Sequence, residues 1–180
     1  MSLQIPLLSF WHLDGRLKGL TGVGNAALLG GPMIAFFASR TCPGSAIRAA
    51  MDWAVAEARS GRTVISGFHS PLERSVLEVL LTARSKAVIA LARDVGKARL
   101  PAAWRQAVLR DEIAIVSVEP DVQRLTEDLA SLRNDWVAAL ADNIVIGHAE
   151  PGGGLERAVC AWNGAGRAVR VLTQSDNILQ

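Results

Sequence analysis

The stretch MIAFFASRTCPGSAIRAAM, residues Met33–Met51, decides the fold. Six apolar residues in succession, Met33–Ala38, are too few for a buried helix and suit a strand covered on both faces. Ser39-Arg40-Thr41-Cys42-Pro43-Gly44-Ser45 then breaks the run with turn residues. After it, Ile47, Ala50, Met51, Ala54, Val55 and Ala58 recur at helical spacing, with Arg48, Asp52, Glu57 and Arg59 elsewhere around the axis. A buried strand, a polar turn and an amphipathic helix make the βα unit of a parallel sheet.

Working outward, the same alternation continues. Further strand-like runs lie at Thr63–Ser66, Ala87–Ala92, Ile113–Val118, Asn143–Gly147 and Ala168–Leu172. Helical stripes separate them: Leu72, Val76, Val79, Leu80 and Ala83; then Leu125, Leu129, Leu132, Trp136 and Leu140; then Leu155, Ala158, Val159 and Trp162. Pro101 suits the opening of a shorter helix through Trp104 and Val108. The expected fold class is α/β, a single three-layer domain over residues 33–172 with a mainly parallel sheet of about six strands. Residues 1–32 form a lead-in segment, with GLTGVGNAALLGG read as loop and short helix, and residues 173–180 form a tail.

The totals fit this plan. Half of the 180 residues are hydrophobic, enough for one full-sized core. Nineteen basic against seventeen acidic residues leave a formal charge of +2, so net charge alone does not argue for nucleic acid. Only Cys42 and Cys160 are present, without metal-ligand spacing, and no apolar run is long enough to span a bilayer. These features point to a reduced, cytoplasmic protein with no membrane attachment and with neither metal nor cofactor.

In open sheets of this kind, ligands bind beyond the carboxyl ends of the strands. Five loops follow those ends: ASRTCPGS, SGFHSPLE, ARDVGKARLP, VEPDVQ and HAEPGGGLE. In the first, Ser39 and Arg40 precede a helix start, where amide groups and a guanidinium can hold phosphate oxygens. In the second, Ser66, Gly67 and His69 repeat the small-hydroxyl-and-glycine theme, and His69 can donate to a phosphate or stack on a base. In the last, Gly152, Gly153 and Gly154 lack Cβ atoms, so their amides can close around a ligand oxygen. Arg133 and Asn134, on the striped helix and flanking its apolar face, offer a fork of donors and an amide. Together these residues suggest a cleft for a phosphate-bearing ligand.

Signals of catalysis are thin. Glu73, Glu119, Glu150 and Glu156 lie near strand ends, but nothing in the sequence pairs any two of them, and no catalytic residue is assigned. Cys42 has no identifiable base and reads as an inert thiol, and Arg93 and Asp94 read as loop residues.

The motifs GNAALL (24–29), FFASR (36–40), ISGF (65–68), SVEP (117–120), LRN (132–134), GGGL (152–155) and GRAV (166–169) occur in one order. That order resembles the Rossmann-like core of the DprA/Smf family of DNA-processing proteins, over roughly residues 22–172. The resemblance implies binding of single-stranded DNA in a basic pocket at these loops, a recombinase partner and a homodimer. It assigns Ser39 and Arg40 to the family's Ser-Arg pair, Ser66 and Gly67 to its Ser-Gly turn, Arg133 and Asn134 to its Arg-Asn pair, and Gly152–Gly154 to its small-residue loop. The departures are Ala38 for a glycine, Leu72-Glu73 for Ile-Asp, and Asp135 for a second basic residue, which places a negative charge where DNA phosphates are expected. No winged-helix domain is expected after residue 172. The implied function is non-catalytic binding of single-stranded DNA or of a nucleotide-type phosphate ligand.

The alternative is a nucleotide N-glycosidic hydrolase. PGGGLERAV resembles the PGGxGTxxE motif of lonely-guy-type phosphoribohydrolases, but Leu155 and Val159 occupy the positions of that motif's third glycine and glutamate.

Overall fold

The structure is a computed structural model and describes residues 8–13, 20–118 and 126–172. An eight-stranded sheet carries helices on both faces. In chain order the strands are β1 (Phe10–Leu13), β2 (Leu20–Gly24), β3 (Met33–Ala38), β4 (Thr63–Ser66), β5 (Ala87–Leu91), β6 (Ile113–Ser117), β7 (Asn143–His148) and β8 (Val169–Val171). The helices are α1 (Gly44–Ser60), α2 (Pro71–Thr82), α3 (Ala102–Leu109), α4 (Glu127–Leu140) and α5 (Gly154–Gly164). Spatially the strands run β1-β2-β6-β5-β4-β3-β7-β8, parallel from β6 to β8. The order reverses at β3, so the switch point lies between β3 and β7, with the Ser39–Arg40 and glycine loops on either side.

The six expected strands form within a residue or so of their expected ends. Two more precede them. The segment read as loop and short helix contains β2, which pairs antiparallel with β6 and β1, followed by a 3-10 turn at Ala26–Gly30. The strand count is therefore eight rather than six. Glycine obscured β2: Gly22 accepts the Trp11 ring, 2.5 Å from where a Cβ would sit, and Gly24 has φ +88°.

Strand β3 shows how the core is divided. Ile34, Phe36 and Ala38 face α1, α2 and α3, whereas Met33, Ala35 and Phe37 face α4 and α5. Phe36 stacks on Trp53 of α1 with ring centres 4.9 Å apart, and Phe37 meets Trp162 of α5 at 4.8 Å from the other face. Burying each such side chain is worth about 1.5–3 kcal/mol, so consecutive residues clamp helices to opposite faces of the sheet. The GRAV motif fastens α4: Arg167 donates to Ala138 O at 2.7 Å and to Ala141 O, carbonyls at the end of that helix.

Two helical stripes differ from expectation. On α1 the buried residues are Ala46, Ala49, Ala50, Trp53, Ala54 and Glu57, while Ile47 and Val55 are exposed. On α4 they are Arg133, Val137 and Ala138, and Leu132 is exposed. Small alanines let α1 approach the sheet closely, and an arginine takes the inward position on α4. Leu125, Glu119 and the rest of the VEPDVQ loop after Val118, and the tail 173–180, lie outside the described residues.

Candidate nucleic-acid interface

The site begins with a turn. After β4, Ser66 is fully buried, and its Oγ accepts from the Phe68 amide at 3.1 Å. Ser66 therefore shapes the turn from inside the fold. Phe68 is held at φ 47°, a strained conformation for a side chain of this size. Between them Gly67 leaves room for Arg133. A Cβ at residue 67 would lie 2.3 Å from Arg133 Cζ, so the guanidinium rests against the glycine backbone.

The next residues start α2 with a capping box. Ser70 Oγ accepts from the Glu73 amide at 3.3 Å, while Glu73 Oε2 accepts from the amides of Ser70 at 3.1 Å and His69 at 2.7 Å. Glu73 Oε1 accepts from Ala38 N at 3.0 Å, tying α2 to the end of β3. Burial raises the Glu73 pKa, and the three amide bonds and the nearby positive charge of Arg133 oppose that rise. Both carboxyl oxygens are thus committed to the backbone, so Glu73 is a structural brace and not a free acid or base.

Arg133 is buried at the same place. Its Nε and Nη2 donate to Asn134 Oδ1 at 3.2 and 2.9 Å, so Asn134 orients the guanidinium. Burial lowers the Arg133 pKa and Glu73 offsets part of that effect. Asp135 turns away from this group: its Oδ1 accepts from Trp162 Nε1 of α5 at 2.9 Å. The negative charge expected among the phosphates is therefore held on the α5 side.

The first loop joins the switch point. Ser39 N donates to His148 O at 2.9 Å, and Ser39 Oγ accepts from the Glu150 amide at 2.8 Å, linking β3 to the glycine loop. Arg40 is exposed beside it. The Cys42 thiol donates to Ser39 O at 3.2 Å, and burial followed by the charges of Glu73 and Glu150 raises its pKa. That is the opposite of what a nucleophilic thiolate needs.

The glycine loop is less open than its sequence suggests. Gly152 N donates to Glu156 Oε2 at 2.7 Å, and Gly153 N donates to Glu150 O at 2.9 Å. Arg157 donates to Gly152 O at 2.8 Å. A ligand oxygen seeking the Gly152 amide meets the Glu156 carboxylate already there, and Gly154 begins α5.

Four further residues were not singled out as ligand contacts from the sequence. A cavity of about 700 Å³ opens between α2, α3 and the segment after β5, bounded by Gly67, His69 and Arg133 on one side. Arg74 of α2, Arg93 and Arg99 of the β5–α3 segment and the half-buried Trp104 of α3 line it as well. Arg93, read above as a plain loop residue, belongs to this cluster. His69 reports the resulting field: its pKa is lowered by burial first, then by Arg133, Arg74, Arg40 and Arg93. None of these five arginines forms an ion pair among the described residues, where the bridges involve Arg62, Arg84, Lys97, Arg110 and His148. The loop after β5 supplied a signal, since it ends a parallel strand and holds two arginines. Arg74 and Trp104 gave none, because only the packing of α2 against α3 brings them there.

Comparison with known proteins matches residues 13–177 to the family described as DNA recombination-mediator protein A. The chain belongs to that family. Among solved structures, it is similar to DNA processing protein A from Helicobacter pylori, a structure describing that protein's single-stranded DNA binding mode. The TM-score is 0.73 at 17% identity, covering 96% of this chain and 87% of the other. It is also similar to DNA processing protein A (DprA) from Streptococcus pneumoniae, with a TM-score of 0.69 at 17% identity, covering 84% of this chain and 54% of that one. The molybdenum cofactor carrier protein of Chlamydomonas shares the fold more distantly, at a TM-score of 0.50 and 12% identity, covering 78% of this chain and 74% of that one. No curated protein matches the sequence. These likenesses show the DprA-type Rossmann-like fold.

Proposed function

We propose that this DprA-family chain binds single-stranded DNA, without catalysis, at the carboxyl ends of its parallel strands. The observation that carries the reading is the group of arginines at 40, 74, 93, 99 and 133 around His69, none of them in an ion pair among the described residues. Guanidinium groups without salt bridges at the strand ends attract a polyanion and release its counterions on binding. Family membership and the single-stranded DNA binding of the Helicobacter pylori protein support the same ligand.

Two of the four strand-end glutamates open to the hydrolase alternative are already engaged: Glu73 is braced by three amides and Glu156 is bonded to Gly152. The family description supports a recombinase as the protein partner. Exposed Ile47 and Val55 on α1 offer apolar surface to a second copy in a homodimer. No helix among the described residues is long and apolar enough to cross a membrane, in keeping with the cytoplasmic location proposed here.

The reading is tested with labelled oligothymidine in fluorescence anisotropy, with duplex DNA and AMP as competitors. Saturable binding that neither competitor displaces at equal phosphate concentration is expected. Displacement by AMP, or release of free base from nucleoside monophosphates, would instead favour a small-nucleotide site.

A further inference from the structure

Two parallel strands end on serines sealed from solvent. Ser66 closes β4 and Ser117 closes β6, on either side of β5, and both are fully buried. The Ser66 hydroxyl serves its own turn, where it accepts from the Phe68 amide. The Ser117 hydroxyl serves a different loop: Ser117 Oγ accepts from Val95 N at 2.6 Å. Val95 opens the short 3-10 turn Val95–Lys97 in the segment between β5 and α3. Arg93 precedes that turn and Arg99 follows it, and both line the cavity beside His69 and Arg133. Neither is in a salt bridge among the described residues.

We propose that Ser117 is a positioning residue for strand binding, its hydroxyl anchoring the Val95 amide and so setting where Arg93 and Arg99 meet the phosphates. The inference rests on the strand-binding reading and gives the SVEP motif, of which Ser117 is the first residue, a part in it. Packing alone does not fix the segment. The Val95 side chain is buried in the core, but apolar contact is not directional. A hydrogen bond is directional, so this one orients a peptide group of the segment. Local bonds shape the turn around it: Asp94 Oδ1 accepts from Gly96 N at 2.8 Å, Ala98 N donates to Val95 O at 3.2 Å, and Lys97 pairs with Asp94 at 3.5 Å. The anchor itself is firm, because β6 is paired with β5 on one side and β2 on the other. A buried amide that loses its acceptor finds no water in its place, and the segment must shift to satisfy it. Both arginines ride on that short segment, so the shift moves them together.

The experiment measures the salt dependence of oligothymidine binding in four chains: wild type, Ser117→Ala, Arg93→Ala with Arg99→Ala, and all three substitutions together. Removing both arginines should make the slope of log-affinity against log salt shallower by about 1.4, at about 0.7 for each phosphate contact. Ser117→Ala should make it shallower by at least about 0.7 although both arginines remain, and should change nothing further in the chain that lacks them. A wild-type slope in Ser117→Ala, or an equal further loss in the combined variant, would overturn the positioning role and leave the strand-binding reading intact. A wild-type slope in the arginine pair would overturn it as well, and would remove those two arginines from the reading. Failure of the wild-type chain to bind would overturn both. Hydrogen exchange on the wild-type chain tests the anchor however well the variants fold. The Val95 amide should exchange at least about tenfold more slowly than the amide of exposed Lys97, and equal exchange would overturn the anchor.

Discussion

The guanidinium of Arg133 packs against Gly67, so closely that a Cβ at residue 67 would stand 2.3 Å from Arg133 Cζ. The Ser-Gly turn after β4 and the Arg-Asn pair on α4 are therefore one device: the turn makes room for the cation and Asn134 aims it. Gly67→Ala should displace Arg133 at a modest stability cost of about 1–3 kcal/mol, because the end of a flexible side chain gives way first. Oligothymidine affinity should fall by as much as in Arg133→Gln. Full affinity in Gly67→Ala would separate the two residues.

Glu73 braces the same corner from within. Glu73→Ala strands the amides of Ala38, His69 and Ser70 and removes the carboxylate nearest buried Arg133. A loss of about 3–5 kcal/mol in denaturant-unfolding stability is expected. Glu73→Gln keeps oxygen acceptance on one arm and should lose less. A loss below 1 kcal/mol in the alanine variant would contradict the brace.

His69 makes both stability and binding depend on pH. Its folded-state pKa lies below the ordinary value of 6.5, so the unfolded chain takes up the proton more readily. The stabilising contribution is present above pH 6.5 and is lost as pH falls toward the folded value. A bound phosphate favours the charged ring, so strand affinity should rise as pH drops from 7 through the same window. His69→Gln should flatten both profiles, measured by thermal unfolding and by anisotropy across that range.

Glu156 holds the Gly152 amide in place of a ligand oxygen. Glu156→Ala frees that amide and removes a negative charge, and oligothymidine affinity should rise about two- to tenfold. A fall in affinity would mean that the carboxylate orders the loop for binding rather than blocking it.

Much of the fold was legible because its strands are buried on both faces and read as unbroken apolar runs. Helix phase was less so. The inward face of α1 is built from alanines and Trp53, while the larger Ile47 and Val55 point outward. On α4 the inward position belongs to Arg133, which no hydrophobic pattern selects. The loop rule pointed to Arg40, Gly67 and Arg133. It could not show that Ser66 is sealed inside, that Glu156 bonds the Gly152 amide, or that Arg74 and Trp104 line one cavity from two helices.

Whether arginines at the strand ends neutralise phosphates of a single strand is read most directly from the salt dependence of oligothymidine binding to the wild-type chain and to Arg40→Ala. Log-affinity should fall linearly with log salt, with a slope shallower by about 0.7 in the variant. An unchanged slope and affinity in Arg40→Ala, or no binding by the wild-type chain at low salt, would contradict that neutralisation.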